Sequence, residues 1–261
     1  MSATVKVEQD GPIALVWLAR PKAYNAFDLE MVSALADRLI TLAGDDGVRA
    51  VVLAGQGQAF CAGGDLKWVA GGAKGPGAAF HELAARFHQA ILEIRRMPKP
   101  VIAALNGAAA GGGFSLALAC DFRVMAESAV LRQAYTSNGL CPDGGGTFFL
   151  PRLAGLARAL EIVAFDRPIP AAKALEWGLC TKVVPDANLL DEAVGLAREL
   201  AGRSRHALAW AKQLLTDSFD TSLETHLERE RYGLSVCGEH QDGREGLAAF
   251  GEKRKPVFSS R

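Results

Sequence analysis

The chain has 261 residues, enough for one large domain or two small ones, and its 49% hydrophobic, 22% charged composition excludes whole-chain disorder. Lys plus Arg and Asp plus Glu balance at 29 each, so no global field recruits a nucleic acid or an anionic membrane, and an anionic ligand must be held by local groups. Five cysteines with no C-x-x-C pair argue against a disulfide framework or a zinc clip, so no metal site and a reducing, cytoplasmic setting are expected.

Residues 1–10 carry Lys6, Glu8 and Asp10 and no apolar run, so no signal peptide is expected. Residues 12–18 (PIALVWL) read as a strand. Leu29, Val32, Leu35, Ala36, Leu39 and Ile40 then recur at helical spacing behind Asp28, a capping residue, and the β-branched run at 48–55 follows. This predicts a strand–helix–strand unit. After the loop at 71–77 come a helix over 79–96, the punctuation Pro98-Lys99-Pro100, and a strand over 101–105.

Residues 101–120 are uncharged over a membrane-spanning length, but Asn106-Gly107 and Gly111-Gly112-Gly113 break them into a strand and a separate helix start, which suits a buried α/β core. A short strand is predicted at 121–126. Beyond about 150 the periodicity is almost wholly helical, with no Pro/Ser-rich linker and no internal repeat. An α/β core (1–190) and a C-terminal helical oligomerisation region (191–261) are therefore expected.

Three glycine-rich segments are candidates for chemistry. In Ala59–Leu66 (AFCAGGDL), two consecutive glycines after a strand free the backbone so that the N–H of Ala62 can turn toward a ligand oxygen; the competing reading is a tight turn. In Asn106–Gly113 a small-residue segment opens a helix, whose first N–H groups lack partners and carry partial positive charge; the competing reading is close helix–strand packing. Two such donors converging on one oxygen make an oxyanion hole. In Asn138–Thr147, Asp143 lies among Leu140, Pro142, Phe148 and Phe149, company that raises a carboxyl pKa toward a general-base range. The alternative is a Pro-Asp-Gly turn or a helix cap. No dinucleotide or P-loop signature occurs, and Gly113–Ala117 approximates a nucleophile elbow only without its final glycine and its strand-to-helix turn, which leaves a serine hydrolase as a weak alternative.

The blocks RPKAYNAF (20–27), AFCAGGDL (59–66), KPVIAALNGAAAGGG (99–113), GLCPDGGGTFFLPRLAG (139–155), ALEWGLCTKVV (174–184) and EGLAAFGEKRKPVF (245–258) occur in this order, and together they resemble the crotonase superfamily, the enoyl-CoA hydratase/isomerase family. The resemblance implies a spiral of ββα units with a C-terminal helical trimerisation region. It also implies an acyl-CoA thioester substrate in fatty-acid or aromatic-acid metabolism, no cofactor beyond the substrate's coenzyme A, and a homotrimer or hexamer with no nucleic-acid or membrane partner.

Carried over by position, the resemblance assigns the oxyanion-hole donors to Ala62 and Gly112, and coenzyme A contacts to Lys22, Ala23, Asp65, Leu66, Phe250 and Lys253. The hydratases' two glutamates fall on Ser115 and Tyr135, which become pocket residues, so ordinary hydration loses its carboxylates. Asp143 falls where dienoyl-CoA and ring-epoxide phenylacetyl-CoA isomerases carry an aspartate. An enoyl-CoA isomerase using Asp143 as acid–base is the expectation. The alternatives are a hydratase with atypical residues, an aryl-CoA dehalogenase or thioester hydrolase in which His88 matches a histidine beside the aspartate, and a catalytically silent CoA-binding protein.

Overall fold

The structure, a computed structural model, describes residues 4–258. Its first strand, β1 (Val5–Asp10), was not expected from sequence. Only Val5 of it is buried, so it carries no alternation to read, and antiparallel pairing with β2 (Ile13–Leu18) holds it in place. Helix α1 (Leu29–Gly44) starts where the Asp28 carboxylate accepts the Met31 N–H at 2.9 Å. It buries Val32, Leu35, Ala36 and Leu39 but leaves Ile40 exposed. β3 (Ala50–Gly55) then returns parallel to β2, which completes the predicted strand–helix–strand unit.

The spiral follows. β4 (Ala59–Cys61), α2 (Leu66–Ala70) and α3 (Pro76–Arg96) come after β3; then β5 (Val101–Leu105), β6 (Ala108–Ala110) and α4 (Gly112–Ala119); then β7 (Phe122–Ala126) and β8 (Val130–Arg132), with α5 (Gly146–Ala154) and α6 (Leu156–Phe165). β9 (Ile169–Pro170), α7 (Ala171–Glu176) and β10 (Lys182–Val184) complete two sheets, of order β1-β2-β3-β5-β7-β10 and β4-β6-β8-β9. Each ββα turn therefore gives its first strand to the large sheet and its second to the small one, as the resemblance implied. The second strands are three residues long, too short for a readable pattern.

Helix α8 (Leu189–Ala201) buries Leu189, Ala193, Ala197 and Ala201 and packs on β3, β5 and β7. The division expected at 190/191 thus cuts a helix of the core, and the helical arm begins instead at α9 (Arg205–Asp217), followed by α10 (Leu223–Glu239) and α11 (Gln241–Gly251). One lysine pins that arm: Lys212 Nζ lies 2.7 Å from Asp121 Oδ2 and donates to the carbonyls of Ile94 and Lys99 at 2.7 and 3.1 Å. Leu215, Leu234, Leu247 and Phe250 of the arm remain exposed. Among the described residues no helix is long and apolar enough to cross a membrane.

Candidate active site

The loop after β4 is fixed by a parallel bridge between Phe27 and Gly64: the Phe27 N–H donates to the Gly63 carbonyl at 2.7 Å, and the Asp65 N–H donates to the Phe27 carbonyl at 2.8 Å. Gly63 sits at φ +91°, and a Cβ there would stand 2.8 Å from the Ala110 carbonyl oxygen and 3.0 Å from the Gly112 nitrogen. The two glycine-rich loops therefore touch, and only glycine permits the contact. The Ala62 N–H, the donor expected from sequence, is committed elsewhere: it donates to the Tyr24 carbonyl at 3.0 Å. Among the described residues the Gly64 N–H has no such partner. The donor assignment is therefore corrected from Ala62 to Gly64.

In the second loop the N–H of Gly112 is unpaired among the described residues. Gly111 donates to the Arg132 carbonyl and the Ser115 N–H closes the first turn of α4 on the Gly111 carbonyl, which leaves the Gly112 N–H as an orphan of the helix start. Gly64 and Gly112 both line a cavity of about 380 Å³, whose wall includes Phe27, Phe87, Tyr135 and Asp143. Two unpaired donors and a carboxylate thus share one cleft with apolar walls. A larger cavity of about 920 Å³ between α3, α5 and α9 reaches His88 and Gly144 but neither backbone donor.

Asp143 does not cap α5; that role falls to Gly145, and the Asp143 side chain is left for the cleft. It is 34% exposed, less enclosed than its apolar neighbours in sequence suggested. Its Oδ1 accepts the Tyr135 hydroxyl at 2.5 Å. Burial, with the Asp143 charge and hydrogen bond added, pushes ionisation of the Tyr135 phenol upward, so Tyr135 stays a donor. On the other side, His88 Nε2 lies 3.6 Å from Asp143 Oδ2 and accepts the Gly144 N–H at 3.2 Å. The Gly144 N–H thus holds the edge of the His88 ring beside the Asp143 carboxylate.

Ser115, expected in the pocket, does not line it. It is fully buried, and the glycine loop closes over it: a Cβ on Gly146 would lie 2.7 Å from its Oγ. Lys22 and Ala23 occupy an exposed 3-10 turn, and Leu66 begins α2 half exposed. Asp65 caps α2 and pairs with Arg20, and neither Asp65 nor Leu66 lines the cleft. Phe250 is 85% exposed near the end of α11, and Lys253 follows with φ +55°. No group of three or more potential metal ligands occurs among the described residues. Sequence reasoning missed Gly64. In the fold a Cβ there would meet only Leu83 at an ordinary 3.7 Å, so packing does not require that glycine, and its value lies in the backbone.

The chain is similar to known proteins over nearly its whole length. The family described as enoyl-CoA hydratase/isomerase matches residues 8–261. The chain is 39% identical to a 1,2-epoxyphenylacetyl-CoA isomerase of Escherichia coli (strain K12) over 245 residues, 94% of each protein. It is 32% identical to 4-chlorobenzoyl coenzyme A dehalogenase-2 of Arthrobacter sp over 250 residues, 95% of this chain and 91% of the relative. A crystal structure of an enoyl-CoA hydratase from Bacillus anthracis superposes with a TM-score of 0.92 at 35% identity, covering 99% of this chain and all of the other.

Proposed function

The chain belongs to the enoyl-CoA hydratase/isomerase family, and on that premise we propose that it is an enoyl-CoA isomerase in which Asp143 moves a proton along the acyl chain. The observation that carries this reading is the meeting of Asp143 with the unpaired N–H groups of Gly64 and Gly112 in one apolar cleft. The thioester oxygen accepts both N–H groups. Asp143 then takes a proton from a carbon of the acyl group, the electron pair delocalises into the thioester to give an enolate, and the same carboxyl returns the proton further along the conjugated system. Donors aimed at the forming oxyanion stabilise the enolate more than the neutral thioester, which is the requirement for catalysis. Tyr135 occupies one Asp143 oxygen and leaves the other to exchange protons.

Neither Ser115 nor Tyr135 is a carboxylate, so the water activation of a hydratase has no base at those positions. Coenzyme A runs past Lys22, Ala23, Asp65 and Leu66. The exposed apolar face of the arm assembles a homo-oligomer, a trimer or hexamer, in which Phe250 and Lys253 meet a neighbouring subunit's coenzyme A. The reaction needs no cofactor or metal beyond that thioester.

A second reading has one specific observation in its favour, the His88–Asp143 contact at 3.6 Å. There Asp143 attacks an electron-poor aryl carbon, halide leaves, and His88 activates the water that hydrolyses the resulting ester. Asp143→Asn tests the first reading: 3-enoyl-CoA isomerisation is expected to fall by roughly 10²–10⁴ with binding little changed. Wild-type protein that releases halide from a 4-halobenzoyl-CoA and does not shift the double bond of 3-enoyl thioesters would transfer the assignment to the second.

A further inference from the structure

Arg20 stands at the start of the block RPKAYNAF and touches nothing in the cleft, yet its side chain is only 22% exposed. Its Nη2 lies 3.0 Å from Asp28 Oδ2 and 3.1 Å from Asp65 Oδ2, and its Nη1 donates to the Ala26 carbonyl. Each aspartate spends its other oxygen on a helix. Asp28 Oδ1 accepts the Met31 N–H and starts α1, while Asp65 Oδ1 accepts the Lys67 and Trp68 N–H groups at 3.2 Å and starts α2. One guanidinium therefore joins the starts of two helices. Between the two aspartates in space runs the Phe27–Gly64 bridge, whose hydrogen bonds flank the Gly64 N–H on both sides.

The backbone of Arg20 adds a second anchor. Its N–H donates to Asn25 Oδ1 at 2.9 Å, and fully buried Asn25 donates from Nδ2 to the carbonyls of Gln56 and Ala59 at 2.9 and 2.8 Å. Residues 20–28 are in this way clamped to both ends of the segment that carries Gly64. Partial burial pushes the Asp65 carboxyl pKa up, but the Trp68 N–H and the Arg20 guanidinium outweigh it and hold it below the usual carboxylate range, so the clamp is charged at neutral pH.

We propose that Arg20 is a positioning residue for the reaction, aligning the Gly64 N–H with that of Gly112 by tying Asp28 to Asp65 across the Phe27–Gly64 bridge. The inference rests on the oxyanion reading above and is independent of which group moves the proton. A donor misaligned by a fraction of an ångström loses much of its hold on a developing charge, whereas the core beneath Arg20 needs no cation to stay packed. The planar fork matters as well. Nη2 holds both carboxylates while Nη1 takes the Ala26 carbonyl, and a lysine keeps the charge without that fixed second nitrogen.

The test uses cinnamoyl-CoA, whose absorbance shifts to longer wavelength when hydrogen bonds polarise its thioester carbonyl, bound to the full-length wild-type protein and to Arg20→Met and Arg20→Lys. The red shift is expected in the wild type, nearly absent in Arg20→Met and intermediate in Arg20→Lys. For 3-enoyl-CoA turnover, kcat in Arg20→Met is expected to fall about 10-fold or more while KM changes by less than about threefold. Should Arg20→Met fail to fold, Asp65→Asn cuts the same clamp and is expected to lose the red shift too. A full red shift in whichever of these variants folds would overturn the proposal. No red shift in the wild type would instead overturn the oxyanion reading beneath it, and a wild type that shows the red shift but does not isomerise 3-enoyl-CoA would count against the Asp143 assignment alone.

Discussion

Tyr135 holds Asp143, eight positions along the chain, by a hydrogen bond of 2.5 Å from phenol to Oδ1. Tyr135→Phe keeps the ring and removes the donor. A hydrogen bond to a charged group contributes about 1.5–3 kcal/mol, so kcat is expected to fall roughly 10- to 100-fold with KM nearly unchanged. Equal turnover by Tyr135→Phe would leave Tyr135 as a wall of the pocket and nothing more.

The correction from Ala62 to Gly64 separates cleanly by experiment. Gly64→Pro removes an N–H that has no protein partner, so stability should hold while transition-state stabilisation drops by about 2.7–4 kcal/mol, read as kcat. Ala62→Pro removes an N–H bonded to the Tyr24 carbonyl, so the melting temperature should fall while the folded fraction keeps its turnover. The reverse pattern would restore the assignment made from sequence.

These two sites show what a sequence carries and what it does not. Asp28 as a helix cap, the strand–helix–strand unit and the unpaired N–H of Gly112 were legible because each follows from local chemistry: a short polar side chain before a periodic run, or an orphan N–H at a helix start. Choosing between Ala62 and Gly64 required knowing which N–H the Tyr24 carbonyl takes, a contact across 38 residues of chain that no spacing records. Ser115 failed as a pocket residue for a similar reason, since the loop that buries it arrives from residues 144–146. The pairing of His88 with Asp143 was legible only through family resemblance.

Lys212 supplies a test of how the helical arm is joined to the core. Its ammonium is buried against Asp121, which also takes Arg95 at 3.1 Å and the Val101 N–H at 2.9 Å. Lys212→Met fills the space but leaves the carboxylate with Arg95 as its one ion-pair partner among the described residues. Breaking a buried pair costs about 3–5 kcal/mol, and the remaining arginine places the expected loss near the lower bound, measured by urea unfolding. Adding Asp121→Asn to Lys212→Met should lower stability further, because Arg95, only 21% exposed, then loses its carboxylate partner. A double variant as stable as Lys212→Met, or more so, would contradict this account.

Asp166 links the site to pH. Its carboxylate accepts the Ala134 N–H at 2.7 Å, the Ser137 hydroxyl and the Arg132 Nε–H, and so holds the segment that carries Tyr135. Ala134 sits at φ +52°, a left-handed conformation that an alanine adopts only when its surroundings compel it. Burial pushes the Asp166 carboxyl pKa up, but the Ser137 hydroxyl, the Ala134 N–H and Arg132 outweigh it and hold it below the usual value of 3.8. The unfolded chain therefore binds more protons than the folded one between the depressed value and about pH 4, and stability rises with pH across that interval. The contribution is complete above it and is lost as pH falls through the folded pKa. Asp166→Asn suits the left-handed backbone of Asp166 itself, at φ +47°, and removes the charge. It is expected to be less stable than the wild type at pH 7 and to show a shallower loss of stability below about pH 4, since it lacks the proton that Asp166 takes up. Turnover should drop with it, because Tyr135 is no longer held against Asp143. Urea midpoints measured from pH 2.5 to 7 decide the matter: parallel curves for the two proteins would show that Asp166 carries no part of the acid sensitivity.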